Sequence, residues 1–582
     1  MNQSEDRPKE IDVERLCDEE SNKSIDRKCL EVTSEDFTGS FGRWQANFSA
    51  FYFVAYILTA FNNLGYVFQS AKTDHQCIDW NDQTLSSSKL SIDLKQQLTS
   101  ESVPFLTSLL PFQTSSPSPL SPSYTIQSDL IESRSIDYES FSKCDPLCTN
   151  RIYNNSVAFD QTITSKFELI CGDEWLGSFA QSMYQFGYVL SGVIIGMMSD
   201  QYGRRIALIV SIVFEIFGGL MLIVSPNIYW YTAARLILGF GDSGRGMCLY
   251  MLIIETVGKS RRTDVLITSD FGWIVGYLLL PVIAFVSRNF IIVQLVPTVT
   301  MLLMALLWLP HVPESPRWLL TKRRFTKAEL VLQKACKSNG KQEYFESNIQ
   351  YIKIQAKQTP TPSVINVLDE DLSIETKAKK SSKSFWSLFI SFRTLMNILI
   401  LWFTFFVTGF IYHGFSLNIE ILGGDVYINF LLAGLIEIPS VLLALIGMRF
   451  VGRKTFIIGT IVAATIVYGS IVMLRIWIGS SEDDLILILM TMLGKMFIFS
   501  TFNAIYVHAG EIFPTKLRQS GVSSCSIAAR VGSTIAPFIK DLSNSIGFTN
   551  TLILFSTLTL TSAIGTFFLP ETKDKELSDT IG

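Results

Sequence analysis

The stretch Gly196-Met197-Met198-Ser199-Asp200-Gln201-Tyr202-Gly203-Arg204-Arg205 closes one apolar run, turns, and leads into another from Ile206 to Ser225. Gly203 permits the tight turn, Asp200 sets an anion near helix ends, and the arginines can pair with acids of neighbouring helices. The turn returns as Gly452-Arg453-Lys454, an offset of 249 residues. Glu255, followed by Arg262, returns as Glu511 followed by Arg518, an offset of 256. Pro313-Glu314 returns as Pro570-Glu571, an offset of 257. Three signals at nearly one spacing, each in an equivalent loop, describe a chain of two similar halves.

Composition says what the halves are made of. The 582 residues are 48% hydrophobic and 17% charged, with a mean hydropathy of +0.32, well above a water-soluble average. Runs of about 20 apolar residues, enough to cross about 30 Å of hydrocarbon, predict twelve membrane spans. They fall at 46–69, 176–199, 206–225, 229–252, 265–287, 290–310, 393–416, 426–448, 456–478, 485–508, 520–540 and 549–569. The expected fold is therefore all-α, with twelve transmembrane helices in two pseudo-symmetric halves of six.

Basic residues crowd the loops after spans 2, 4, 8 and 10, which puts both termini in the cytoplasm. The resulting division is a cytoplasmic segment 1–45, a first half 46–310, a cytoplasmic helical linker 311–392, a second half 393–569 and a cytoplasmic tail 570–582. The first 45 residues hold no apolar core and are expected to lack a cleavable signal, so the first span acts as the insertion signal. Within the first half, the long loop 70–175 falls outside the cell. Its Cys77, Cys144, Cys148 and Cys171 suggest two disulfides in one of three pairings. Asn154 on the same loop opens a glycosylation sequence.

A net charge of −4 and a pI near 5.8 argue against a nucleic-acid partner. No phosphate loop and no His-Glu-x-x-His occur, the four histidines are scattered, and no nucleophile and base form a recognisable constellation. The sequence predicts no enzyme, no cofactor and no metal site.

The motif around Gly203 resembles the loop between helices 2 and 3 of the major facilitator superfamily, and Arg235-Leu236-Ile237-Leu238-Gly239 resembles its helix 4 motif. Pro313-Glu314-Ser315-Pro316-Arg317 and Pro570-Glu571-Thr572-Lys573 occur in its sugar porters and organic ion transporters alike. His75-Gln76-Cys77, Phe159 to Cys171, Trp175 and Gly409 to Gly414 resemble its organic cation, organic anion and carnitine transporter family. The resemblance covers about residues 40 to 582 and implies a plasma-membrane transporter. It departs at Gln201, where a basic residue is usual, and at Arg449, where the second-half motif often has Asp. The second departure removes one gate acid, so the first-half gate is expected to be the stronger. The gate set comprises Asp200, Gly203, Arg204, Arg205, Glu255, Arg262, Glu314, Arg317, Arg453, Glu511, Arg518 and Glu571. Its ion pairs are expected to hold one conformation and break in the other.

Transporters of this architecture are expected to bind substrate near the bilayer midplane, between the halves. Ionisable residues there cost about 2.5–3.5 kcal/mol each on insertion scales, so each needs a partner or a purpose. Six qualify: Glu215, Asp242, Arg245, Glu437, Lys495 and Arg530. Asp242 and Arg245, three apart on one helix, can neutralise each other. Glu437 resembles the cation and carnitine branches, where an acid in span 8 meets a substrate's ammonium. Arg530 resembles the anion and carnitine branches, and suits a carboxylate held by two hydrogen bonds. A Glu437–Arg530 salt bridge is the structural alternative. Tyr412 and Phe415 in span 7 are the aromatic candidates for cation–π contact, and Asn62 an uncharged one. The glycines Gly192, Gly196, Gly239, Gly241, Gly244, Gly272 and Gly276 are expected to permit close helix packing.

The expected activity is alternating-access transport of small organic ions, cations or zwitterions such as carnitine. It would run on the substrate gradient, on membrane potential, or on a coupled sodium ion or proton. Two rivals stand beside it: an anion exchanger centred on Arg530 and Lys495, with a sugar porter behind it, and a non-transporting membrane sensor signalling through the 311–392 loop.

Overall fold

The computed structural model describes residues 38–71, 74–80, 148–154, 161–342, 345, 392–478, 485–513 and 518–573. Twelve long helices follow the expected spans. They are α1 (Arg43–Leu64), α2 (Trp175–Tyr202), α3 (Arg204–Ile223), α4 (Ile228–Thr256), α5 (Lys259–Ser287) and α6 (Phe290–Trp308) in the first half. The second half holds α7 (Phe392–Leu417), α8 (Val426–Phe450), α9 (Arg453–Ile478), α10 (Leu485–Ile512), α11 (Arg518–Ile535) and α12 (Phe548–Phe567).

Among the described residues, eleven helices are long and apolar enough to cross a membrane. The other is α2, whose 28 residues are long enough but too polar. Ser178, Gln181, Ser182, Gln185, Ser191 and Ser199 are all buried against its neighbours, so its polarity serves the bundle interior. Large apolar side chains such as Val286, Phe450 and Trp477 are instead exposed around the rim, as lipid contact requires.

Local chemistry fixes the helix ends. Asn227, Asn289 and Asp425 cap α4, α6 and α8 through side-chain oxygens that accept backbone N–H groups. Pro439 has no N–H to give to the preceding turn, and α8 is interrupted at Ile436, between Leu435 and Glu437. Gly203 and Gly452 hold φ of +116° and +106°, which lets α2 turn into α3 and α8 into α9.

An antiparallel ribbon departs from the all-helical expectation. β1 (Asp74–Trp80) pairs with β2 (Cys148–Asn154), with Asp74 opposite Asn154 and Trp80 opposite Cys148. Cys77 and Cys148 lie on these strands, and Cys171 opens a one-turn helix. The side chains of these cysteines and of Asn154, and the whole of Cys144, lie outside the described residues. In the linker, helices Pro316–Thr321 and Phe325–Asn339 follow α6.

Glycines bring the helices close. A Cβ on Gly239 would strike the Tyr184 backbone, one on Gly241 the Glu215 backbone, and one on Gly244 the hydroxyls of Ser211 and Ser191. Gly272 and Gly276 meet Phe53 and Ile57 of α1 in the same way, and Gly196 meets Met247. Gly192 is the exception, with nothing within 4 Å. It lies on an exposed face of α2, so spacing alone misplaced it in a helix contact.

The halves join at the end of the bundle that carries the ribbon. Phe68 stacks on Tyr427 at 5.4 Å and meets Phe430 at 4.8 Å, and Phe285 meets Tyr427 edge-on. One apolar cluster runs from Phe68, Ala71 and Tyr277 of the first half to Leu417, Leu422, Phe430 and Met492 of the second. A separate cluster, around Phe405, Phe456, Ala509 and Cys525 toward the opposite end, belongs to the second half alone.

Candidate substrate site

Two charged clusters form near the middle of the bundle, one within the first half and one with its charges on the second. In the first, Arg245 Nε lies 2.6 Å from Glu215 Oε2, and its Nη2 pairs with Asp242. Asp242 also accepts Tyr184 Oη at 2.5 Å, Tyr188 Oη at 2.7 Å and Thr59 Oγ1 at 2.8 Å. Asn62 Nδ2 donates to Glu215 at 3.2 Å, and the Asn62 carbonyl accepts Arg235. Arg235 continues to Gln181 and lies 4.6 Å above the Tyr184 ring. Asp242 and Arg245 do pair, as their spacing suggested, but Glu215 shares the guanidinium. Asn62 is spent on the same network.

In the second half, Lys495 Nζ makes three hydrogen bonds: 3.1 Å to Glu437 Oε1, 3.0 Å to the Ala433 carbonyl and 3.1 Å to Tyr277 Oη. The ammonium lies 4.5 Å from the centre of the Tyr277 ring and 5.4 Å from that of Tyr412. Tyr412 Oη donates to Glu437 Oε1 at 2.8 Å and accepts Trp273 Nε1 at 3.2 Å. Tyr277 and Trp273 belong to α5, so this cluster draws on both halves.

Arg530 does not reach Glu437; the expected alternative bridge is replaced by Glu437–Lys495. The Arg530 guanidinium lies 4.8 Å above the ring of Tyr188 on α2, and no carboxylate among the described residues is within ion-pair range. Nearby, Ser182 Oγ donates to the Thr534 carbonyl at 2.6 Å. Phe415 shares an apolar cluster with Tyr412 but has other ring partners. It stacks on Tyr468 and meets Phe555 edge-on in the second-half core, one turn too far along α7 to face Glu437.

Reading the sequence missed Tyr188, Tyr184, Trp273 and Tyr277. The signal was present: Trp273 and Tyr277 are one helical turn apart, at mid-depth in span 5.

At the far end from the ribbon, each half carries a clamp. Arg204 pairs with Asp200 at 2.7 Å and Glu255 at 2.8 Å. Glu314 Oε1 accepts the backbone N–H of Arg204 at 2.8 Å and of Arg205 at 3.3 Å, and so caps α3 from a distance. In the second half Arg453 pairs with Glu511 at 3.2 Å. Glu571 caps α9 through the N–H groups of Arg453, Lys454 and Thr455. Burial alone would push the Glu571 carboxyl up, but bonds from the N–H groups of Lys573, Thr455, Lys454 and Thr572 outweigh it and pull it down to about 2.

Each clamp lies within one half. The ion pairs tie α2, α3 and α4 of the first half, and α9 and α10 of the second, without crossing between the halves among the described residues. Among the described residues the first-half clamp has two ion pairs to the second's one, and Arg204 is 8% exposed against 26% for Arg453. Arg205 contributes its backbone only, Arg317 is exposed, and Nε and Nη2 of Arg518 have no hydrogen-bond partner among the described residues. The Arg262 side chain lies outside the described residues.

Residues 142–580 match the family described as sugar (and other) transporter. The chain belongs to that transporter family. It is a multi-pass membrane transporter and not an enzyme. Among relatives, it is 29% identical over 438 residues to the organic cation transporter protein of Drosophila melanogaster, covering 75% of this chain and 76% of the relative. It is 30% identical over 437 residues to organic cation/carnitine transporter 2 of Rattus norvegicus, covering 74% and 72%. Among solved structures it superposes on the partially occluded inward open conformation of the xylose transporter XylE from E. coli. That match has a TM-score of 0.53 at 19% identity, over 71% of this chain and 93% of that one. The transporter family's fold is thus the major facilitator fold named for XylE, as the paired halves suggested.

Proposed function

We propose that this chain carries small organic cations or zwitterions such as carnitine across the plasma membrane by alternating access, with both termini in the cytoplasm. The division into two halves of six spans, 46–310 and 393–569, supplies the moving bodies, and the ribbon end faces outward. The structure then corresponds to a carrier closed outside.

One observation carries the substrate class. Of the six mid-membrane charges, Arg530 alone is without an ion-pair partner among the described residues. The carboxylate of Glu437 lies beside the rings of Tyr277 and Tyr412. A free guanidinium suits a substrate carboxylate, and a carboxylate flanked by aromatic faces suits an ammonium. The relatives named organic cation and carnitine transporters support the same class. Lys495, already paired with Glu437, speaks against an anion site built on Arg530 and Lys495 together.

No bound nucleotide is needed to drive such transport. A monovalent cation gains about 2.3 kcal/mol per 100 mV of potential, enough for accumulation, with sodium or a proton as candidate coupled ions.

The test is uptake into sealed vesicles of a permanent cation, a betaine and an aromatic carboxylate, each with and without a sodium gradient. Saturable uptake of the cation or betaine is expected. Uptake of the carboxylate alone would move the site to Arg530 and Lys495. Binding without flux would favour the sensor.

A further inference from the structure

We infer that Lys495 is a tethered counter-cation: it fills the subsite of the transported ammonium while the carrier is empty and yields it when substrate binds. The inference rests on the reading that Glu437 and Tyr412 meet the substrate's cationic group.

The Lys495 ammonium sits where an organic ammonium would be held. It has a carboxylate at 3.1 Å, two tyrosine rings with centres at 4.5 and 5.4 Å, and three acceptors for its three N–H bonds. The surroundings match an aromatic and anionic box of the kind that recognises alkylammonium groups. A second observation points to a ligand. Glu437 is fully buried, yet its Oε2 has no hydrogen-bond partner among the described residues. The lysine therefore bonds one carboxylate oxygen and leaves the other buried without a hydrogen bond among the described residues, near the Trp273 indole.

The box is also shared between the halves. Tyr277 comes from α5, and Glu437, Tyr412 and Lys495 come from the second half. With Lys495 in place, the outward-closed empty carrier has a neutral Glu437–Lys495 pair in its centre. An incoming organic cation takes Glu437, and the flexible lysine stem lets its ammonium swing away as the site opens to water. The loaded carrier then has one positive charge more than the empty one. The empty carrier can return without any ion, because it brings its own. Net flux of a cation driven by potential alone follows from that arrangement.

Removing the lysine charge should therefore stop one step and spare another. In Lys495→Met the empty carrier must close around an unpaired Glu437, whereas the loaded carrier is neutralised by its substrate. Net uptake of tetraethylammonium into empty proteoliposomes should fall by at least about tenfold, since an unpaired buried charge costs more than one decade of rate. Exchange of labelled for unlabelled tetraethylammonium should persist at near the wild-type rate. The double substitution Glu437→Gln with Lys495→Met removes both charges, and should recover net uptake relative to Lys495→Met while needing more tetraethylammonium for half-saturation.

Net uptake and exchange falling together, with no recovery in the double variant, would make Lys495 a structural partner and overturn the inference. Net uptake unchanged in Lys495→Met would overturn it equally. A double variant that binds tetraethylammonium as tightly as the wild type, or a wild type that moves none, would instead sink the underlying assignment of Glu437.

Discussion

The guanidinium of Arg530, on α11 of the second half, lies 4.8 Å above the ring of Tyr188, on α2 of the first. The hydroxyl of the same tyrosine donates to Asp242 at 2.7 Å. Tyr188 thus joins Arg530, which has no ion-pair partner among the described residues, to the anionic cluster of the other half, and orients its ring as a platform for Arg530.

Arg530→Ala should abolish uptake of zwitterions or carboxylates while the protein still reaches the membrane. Tyr188→Leu, which removes the platform, should weaken the same substrates by about 0.5–2 kcal/mol, the worth of a cation–π contact. Tyr188→Phe keeps the ring and should cost less. Competition uptake with surface labelling checks all three, and unchanged uptake in Arg530→Ala would sink its role.

Arg245→Met leaves Glu215 and Asp242 as buried acids facing each other and should destabilise the first half by about 3–5 kcal/mol. Asp200→Asn removes a pair whose acid is 76% exposed, and should cost under about 1 kcal/mol. Thermal unfolding of detergent-solubilised protein separates the two. Similar losses would refute the ranking by burial.

Gly203→Ala puts a side chain at φ +116° and drives its Cβ into the Glu314 carboxylate and close to Trp318. A cost of at least about 1–3 kcal/mol is expected from backbone strain. At Gly452 the nearest Glu571 atom stands 3.0 Å away, so Gly452→Ala should be the milder of the two in the same unfolding measurement.

The Glu571 clamp should be insensitive to mild acidification. The folded carboxyl titrates below its ordinary value of 4.5, so its stabilising contribution is complete above that value and is lost only as pH falls toward about 2. Glu571→Gln should therefore lower the unfolding temperature by the same amount throughout the neutral range. A wild-type transition that shifted strongly between mildly acidic and neutral pH, and vanished in Glu571→Gln, would contradict this.

What the sequence disclosed and what it hid follow one physical line. Spans show themselves through length and apolarity, so the repeat and the membrane helices were legible. Even α2 was found, although its buried Gln181 and Gln185 deny it the apolarity of its neighbours. Depth in the membrane was legible too, and gave Glu215, Asp242, Arg245, Glu437, Lys495 and Arg530. Azimuth was not: nothing in depth says that Glu437 turns to Lys495 and not to Arg530. The capping by Glu314 and Glu571 was hidden for another reason. These carboxylates serve backbone N–H groups more than 100 residues away in the chain, and backbone acceptor demand has no residue-type signature.

Those two carboxylates also set an order of events during synthesis. Glu314 follows α6 and secures the start of α3, so the first half can fasten itself once its sixth helix has emerged, before any of the second half exists. Glu571 follows α12 and secures the start of α9. The second half therefore stays unfastened until its last membrane helix has been made, and a ribosome stalled ahead of Glu571 would release a protein with one finished half and one open to quality control.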